Sequence, residues 1–314
     1  MNAEAKAGGV LCVGRLYCDF VFVGLPGMPE LGHEIFARDL TVAPGGGAFI
    51  VAAQLVALGR QAALGARLGT DPISRGLEAP ISALGVDLRW LEHATDAGPQ
   101  VTMAIPQNGD RAFVTHRAGL AVAATVRAAI GSGRFRHLHV AELTTLLDMA
   151  DLVGLARNAG MTISGDAGWD VATLADPRVM DHVRLLDLFL PNAEEAAALT
   201  GCDDPTDAAE RLARLVNIVA IKAGPAEACL RGAGVATNLR PPAVTVRDAT
   251  GAGDAFIAGF LDRWLDGETP DICLAWAVAA GSLAIRQAGG AAPSARHDVA
   301  AAAAALLDAA APVR

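Results

Sequence analysis

Lysine is almost missing from this chain: only Lys6 and Lys222 occur, so 23 of the 25 basic residues are arginine. No GxxxxGK[ST] stretch surrounds either lysine, which excludes a P-loop, and the lysine and HRD set of protein kinases is missing too. A bound nucleotide would have to be held by another route. Positive charge is short as well, with a formal net charge of −9, which argues against nucleic acid or an anionic membrane surface as a partner. Long apolar runs are lacking: ICLAWAVAAGSLAI at 272–285 is too short to span a bilayer and reads as a buried helix. The opening MNAEAKAGGVLCVG has no basic region followed by a long apolar core, so no signal peptide is expected. The five cysteines (Cys12, Cys18, Cys202, Cys229, Cys273) show no CxxC or zinc spacing, the pattern of reduced thiols in a cytoplasmic protein.

What is present is apolar and periodic. Hydrophobic residues make up 53% of 314, enough for a large core in one or two domains. Strand-like segments at 9–14, 62–68, 137–143, 161–167, 186–192 and 217–224 alternate with helical ones, and ACLRG (228–232) follows closely. That order predicts a mostly parallel central sheet with helices on both faces, an α/β fold. Helices are expected at 48–58, opened by glycines 45–47, at 71–85 with Pro72 in the first turn, and at the alanine-rich 298–310.

Two blocks, 15–42 and 99–117, break the alternation with strand-rich, partly polar stretches. Strands are expected at 21–25, 36–42 and in a hairpin over 101–116 whose turn is Asn108–Gly109. The two blocks are expected to pair as a small sheet off the main domain, a lid that excludes water, with edge hairpins of the central sheet as the alternative. The exposed strand edges of such a sheet would invite a homodimer.

The stretch most loaded with chemistry is DATGAGD at 248–254, followed at once by the apolar AFIAGFLDRWL. Gly251 and Gly253 let a ligand approach the main chain, and a helix beginning near Ala252 adds unpaired N–H groups and a positive dipole end. Phe256, Ile257, Phe260, Leu261 and Trp264 give that helix a buried stripe that would fix the cradle. Asp254 in its first turn could accept a hydroxyl proton beside a phosphoryl group, or could simply be a helix-start residue; the pattern alone leaves both open. A dinucleotide site would instead need GxGxxG at the first strand–helix turn.

DATGAGDAFIAGF resembles the C-terminal signature of ribokinase-like (PfkB-type) carbohydrate kinases. VGRLYCD (13–19), PGGGAFIVAAQLVALG (44–59), LGTDPISRGLEAPISALGVD (68–87), PNAEEAAALTG (191–201) and IKAGPAEACLRG (221–232) resemble the family's other segments in order and spacing, so the likeness covers nearly the whole chain. The resemblance implies one ribokinase-like domain over 1–314, a three-layer sandwich with a β-sheet lid, acting as an ATP-dependent sugar kinase. It implies Asp254 as general base and the amides of Gly251, Ala252 and Gly253 as anion hole. Asn192 and Glu195 would organise Mg²⁺ and the nucleotide phosphates, with Lys222 and Gly224 along the ATP. Asp248 and Thr250, with carbonyls from 284–294, would form a monovalent-cation site of the K⁺ type. Asp19 would hold two sugar hydroxyls and the backbone at Gly45–Gly46 a third.

The departures from the family pattern bear on the acceptor. Ile50 stands where relatives usually carry a sugar-binding asparagine, Gly47 where ribokinases proper carry lysine, and Ala249 where serine or threonine is usual. A polyol or sugar other than ribose is therefore expected. A nucleoside kinase of the same fold and a non-catalytic sugar sensor are the alternatives, the latter disfavoured because a pure binder needs no base. Glu142, at a strand's C-terminal end, is a candidate substrate contact; Tyr17 flanks Asp19; His137 and His139 alternate along a core strand and read as structural.

Overall fold

The computed structural model describes residues 8–107, 110–286 and 292–310. Lys6, the Asn108–Gly109 turn and part of the expected 284–294 carbonyl set lie outside them.

Gly9–Val13 (β1) sends Val10 and Cys12 into one apolar layer and Leu11 and Val13 into another, as a strand covered on both faces must. Tyr17–Val23 (β2) and Asp39–Gly45 (β3) pair antiparallel, and Gly47–Ala57 (α1) follows directly. Both strands sit a few residues from their expected positions. The expected strand over 62–68 divides: Ala62–Gly65 (β4) pairs with β1, whereas Arg67–Gly69 (β5) pairs with Glu92–Ala94 (β6). The expected helix over 71–85 also divides, into Pro72–Arg75 (α2) and Glu78–Ala83 (α3). Pro80 has no amide to continue α2, and it is accommodated in the first turn of α3, which starts at Glu78.

Val101–Gln107 (β7) and Asp110–His116 (β8) form the expected hairpin. β7 lies parallel to β2, so the two exceptional blocks do pair, in the order β3-β2-β7-β8. Leu40, Val42, Met103 and Val114 on this small sheet are exposed.

The alternation then runs through Thr125–Gly131 (α4), Phe135–Val140 (β9), Thr144–Asp148 (α5), Leu152–Asn158 (α6) and Thr162–Gly165 (β10). Val171–Leu174 (α7), Arg178–Val183 (α8), Leu188–Phe189 (β11), Ala193–Thr200 (α9) and Pro205–Leu212 (α10) follow. Ile218–Ile221 (β12), Ala228–Gly232 (β13) and Val235–Leu239 (β14) close the sheet; β14 carried too little apolar character to be expected. Ala252–Trp264 (α11), Pro270–Ala284 (α12) and Arg296–Ala310 (α13) end the chain's described part. None of its helices is long and apolar enough to cross a membrane.

Among the described residues the main sheet has eight strands in the order β14-β13-β12-β11-β10-β9-β1-β4, parallel from β4 to β12. One face is covered by α1, α11 and α12 through Phe49, Phe260 and Leu274, the other by α4, α6 and α10 through Val126, Leu152 and Leu212. In such a sheet ligands gather beyond the carboxyl ends of the strands. Arg15, Glu142, Asp166 and Lys222 all follow the carboxyl ends of parallel strands.

Candidate active site

Gly251 precedes α11 with φ 76°, a left-handed conformation that a side chain would strain. The helix it opens is fixed from behind: Ile257, Phe260 and Leu261 are fully buried. A Cβ on Gly259 would stand 2.6 Å from the Trp276 carbonyl, so α12 touches α11 backbone to backbone. The expected stripe is therefore present, with Trp264 only partly buried. At the open end, the amides of Gly251 and Gly253 have no acceptor among the described residues, whereas Ala252 N donates to Ala249 O at 3.3 Å. Ala252 thus departs from the expected trio of open donors, because the tight turn folds its amide back on the loop.

Two glycines locate the groups around this turn. A Cβ on Gly47 would lie 2.9 Å from Asp254 Oδ1, which puts the Asp254 carboxylate at the start of α1. A Cβ on Gly253 would lie 3.4–3.7 Å from the end of the Lys222 side chain. Lys222 Nζ pairs with Asp166 Oδ2 at 2.8 Å, and both side chains are largely buried. Burial works against the ammonium, but Asp166 and Glu195 outweigh it and hold its pKa above the ordinary lysine value.

Asn192 and Glu195 form a capping box at the start of α9: Glu195 N donates to Asn192 Oδ1 and Asn192 N to Glu195 Oε2, both at 2.8 Å. Capping the helix is thus one task of this pair. It does not exhaust the carboxylate, whose second oxygen lies outside the box. Burial, with Asp166 adding to it, pushes Glu195 up to about 7 against the opposing pull of Lys222. Lys222 is tied to this helix start through Lys222 N to Pro191 O and Ala193 N to Lys222 O. Gly224, at φ 55°, sits exposed in the β12–β13 turn with open space around it.

On the acceptor side, Asp19 of β2 lies against Gly45, where a Cβ would come within 1.9 Å of Asp19 Oδ2. Gly46, at φ 96°, is wedged against the Arg15 carbonyl at 2.3 Å by the same measure. Burial raises Asp19 to about 7, with Asp254 and then Asp248 adding to it, so these three carboxylates share one field. Glu142 accepts from Arg15 N at 3.1 Å and lies 3.6 Å from Arg15 Nε; its pKa is raised by burial although Arg15 and Arg117 pull it down. Arg15 Nη1 also reaches Gln100 Oε1 and the Ala118 carbonyl. Ile50, 5% exposed, faces Ala255 of α11 together with Ala284, Ala292 and Pro293.

Asp248 accepts from Thr250 N at 2.9 Å, and Thr250 Oγ1 is buried with no partner among the described residues. The Ile285 carbonyl already accepts from the amides of Arg247 and Asp248. His137 and His139 are fully buried in a chain that runs Thr162–His137–Ser164–His139, with contacts of 2.8, 2.8 and 2.9 Å. Burial drives both imidazoles toward the neutral form, His139 to about 3. They are structural, and among the described residues no three His, Cys, Asp or Glu side chains converge to hold a metal by themselves.

Sequence reading missed Arg15, Gln100 and Asp166. Arg15 and Asp166 are buried charges, which must be paired, and a search for acids and arginines just past strand ends could have singled them out; Gln100, neutral and just before β7, carried no such signal.

A glycine-lined helix start, an aspartate in its first turn and a buried lysine around one opening, faced by a second buried aspartate, suit phosphoryl transfer to a hydroxyl. Comparison with known proteins agrees. The family model described as pfkB family carbohydrate kinase matches residues 10–297. A fructokinase from Klebsiella pneumoniae is 30% identical over 237 residues, 69% of this chain and 76% of its own. The ribokinase of Arabidopsis thaliana complexed with ribose and ATP superposes with a TM-score of 0.78 at 21% identity, covering 95% of this chain and 99% of the other. An E. coli chain of the same fold, solved in complex with ATP and Mg²⁺, gives 0.79 at 19% identity over 94% and 98%. The chain belongs to the pfkB family of carbohydrate kinases, and its fold is that of ribokinase.

Proposed function

We propose that the chain transfers the γ-phosphoryl group of ATP to a hydroxyl of a sugar or sugar derivative, with Asp254 as general base. The observation that carries this reading is that Asp19 lies against Gly45 and Asp254 against Gly47, which brings the two carboxylates to one glycine turn at the start of α1. Asp19 accepts two hydroxyls of the acceptor, a carboxylate being suited to a diol, and the backbone at Gly45–Gly46 takes another. Asp254 accepts the proton of the attacking hydroxyl, and the amides of Gly251 and Gly253 receive charge spreading over the phosphoryl oxygens. Asn192, Lys222 and Gly224 lie along the nucleotide.

The donor set suits Mg²⁺, which binds through one or two carboxylates plus phosphates and water, and Glu195 with Asn192 would hold it so. The metal neutralises phosphate charge when bound. Asp248 and the unpartnered Thr250 Oγ1 suit a monovalent cation such as K⁺. The small sheet acts as a lid over the acceptor, and its exposed apolar residues pair two subunits into a homodimer; light scattering at assay concentration tests this, and a strict monomer refutes it.

A panel of hexoses, pentoses, sugar acids and nucleosides assayed for ADP release identifies the acceptor. Asp254→Asn is expected to lower kcat on it by at least about 10²-fold with ATP affinity and Tm retained. Wild-type turnover in that variant reduces Asp254 to a helix-start residue.

A further inference from the structure

We infer that Asp166 is a positioning residue for phosphoryl transfer: it holds the Lys222 ammonium against the first turn of α11, where Lys222 meets the charge of the transferring phosphoryl group. The inference rests on the reading above and extends it to a residue that reading leaves without a role.

Lys222 is the one lysine among the described residues, and its end passes within 3.4–3.7 Å of where a Gly253 side chain would begin. A lysine is a point charge on a flexible stem, so something must choose where it points. Three carboxylates act on it: Asp166, Glu195 and Asp254. A pair with Asp254 would tie up the base, and a pair with Glu195 would compete with the cap of α9. The contact at 2.8 Å is with Asp166.

Asp166 is itself rigid. Its amide donates to the Val140 carbonyl at the end of β9, and its Oδ1 accepts from Ala167 N, both at 2.9 Å. Lys222 is anchored equally firmly at its backbone by Pro191 and Ala193. The two residues thus face each other from the ends of β10 and β12 across β11, with the sheet as a fixed frame. The pair places one positive charge beside the first turn of α11.

The test is a double-mutant cycle of Asp166→Asn and Lys222→Met in the full chain, with the best acceptor of the panel, alongside NMR of lysines carrying ¹³C at Cε. Each single variant is expected to lower kcat about 10- to 100-fold with the KM of the acceptor within about threefold. The double variant should be no slower than Lys222→Met, because Asp166 acts through Lys222. The Lys222 signal should move on adding Mg²⁺, ADP and aluminium fluoride to wild type, and shift or broaden in Asp166→Asn before any addition. Losses that multiply in the double variant, or a Lys222 signal unchanged in Asp166→Asn, overturn the inference. Full activity in Asp254→Asn would sink the underlying reading instead, so the two failures are separable.

Discussion

Replacing Gly45 by alanine tests the acceptor side most directly. The new Cβ would stand 1.9 Å from Asp19 Oδ2, 2.3 Å from its Cγ and 2.5 Å from Oδ1. Ordinary contact lies near 3.5 Å, so the carboxylate must recoil by roughly 1.5 Å. The backbone is poorly placed to give way. Gly46 next along is already against the Arg15 carbonyl, and its own carbonyl receives Phe49 N and Ile50 N at 3.1 and 3.0 Å. A hydrogen bond stretched that far is lost. Bonds to a charged group contribute about 1.5–3 kcal/mol each, and Asp19 is assigned two. Gly45→Ala should therefore cost about 10²- to 10⁴-fold in kcat/KM for the acceptor, at one decade per roughly 1.4 kcal/mol. KM for ATP should stay within about twofold and serves as the internal control. Gly131→Ala, at a position with no neighbour within 4 Å, should behave as wild type. Acceptor kcat/KM within about threefold of wild type in Gly45→Ala, with Tm unchanged, would refute the role given to Asp19.

Three further outcomes are expected. Gly253→Val puts a branched side chain beside Lys222 and the open amides without a backbone clash, so turnover should vanish while Tm barely moves; equal activity rules the anion hole out. Burial pushes Asp19 up to about 7 from the ordinary aspartate value of 3.8, so its contribution to stability is full below about pH 4 and is lost as pH rises through 7. Denaturant unfolding should show Asp19→Asn gaining on wild type between pH 4 and 7.5, and a constant difference would contradict that assignment. If Ile50 removes the polar sugar contact expected of an asparagine at this position, ribose should be a poor acceptor and Ile50→Asn should improve it relative to the preferred one. Wild-type kcat/KM on ribose near about 10⁴ M⁻¹s⁻¹, an ordinary enzyme value, would show the pocket argument to be wrong.

Much of this protein was legible along the chain because its causes are local. Gly251 before an apolar stripe at helical spacing marks a helix start, and Asn192 with Glu195 three residues on marks another. Val10 to Val13, apolar on both faces, marks a strand buried in a parallel sheet. The split of 62–68 was not legible, because it depends on β6 arriving as a separate partner for Arg67–Gly69. Nor were the pairs that complete the site. Lys222 and Asp166 are 56 residues apart, Arg15 and Glu142 127 apart, and nothing near either residue names its partner. Those contacts follow from strand order: β10, β11 and β12 lie side by side, and β1 lies beside β9. Local sequence chose the conformations and the loop chemistry. Only the closing of one sheet, buried on both faces, decided which strand ends would meet, and so which charges would share a site.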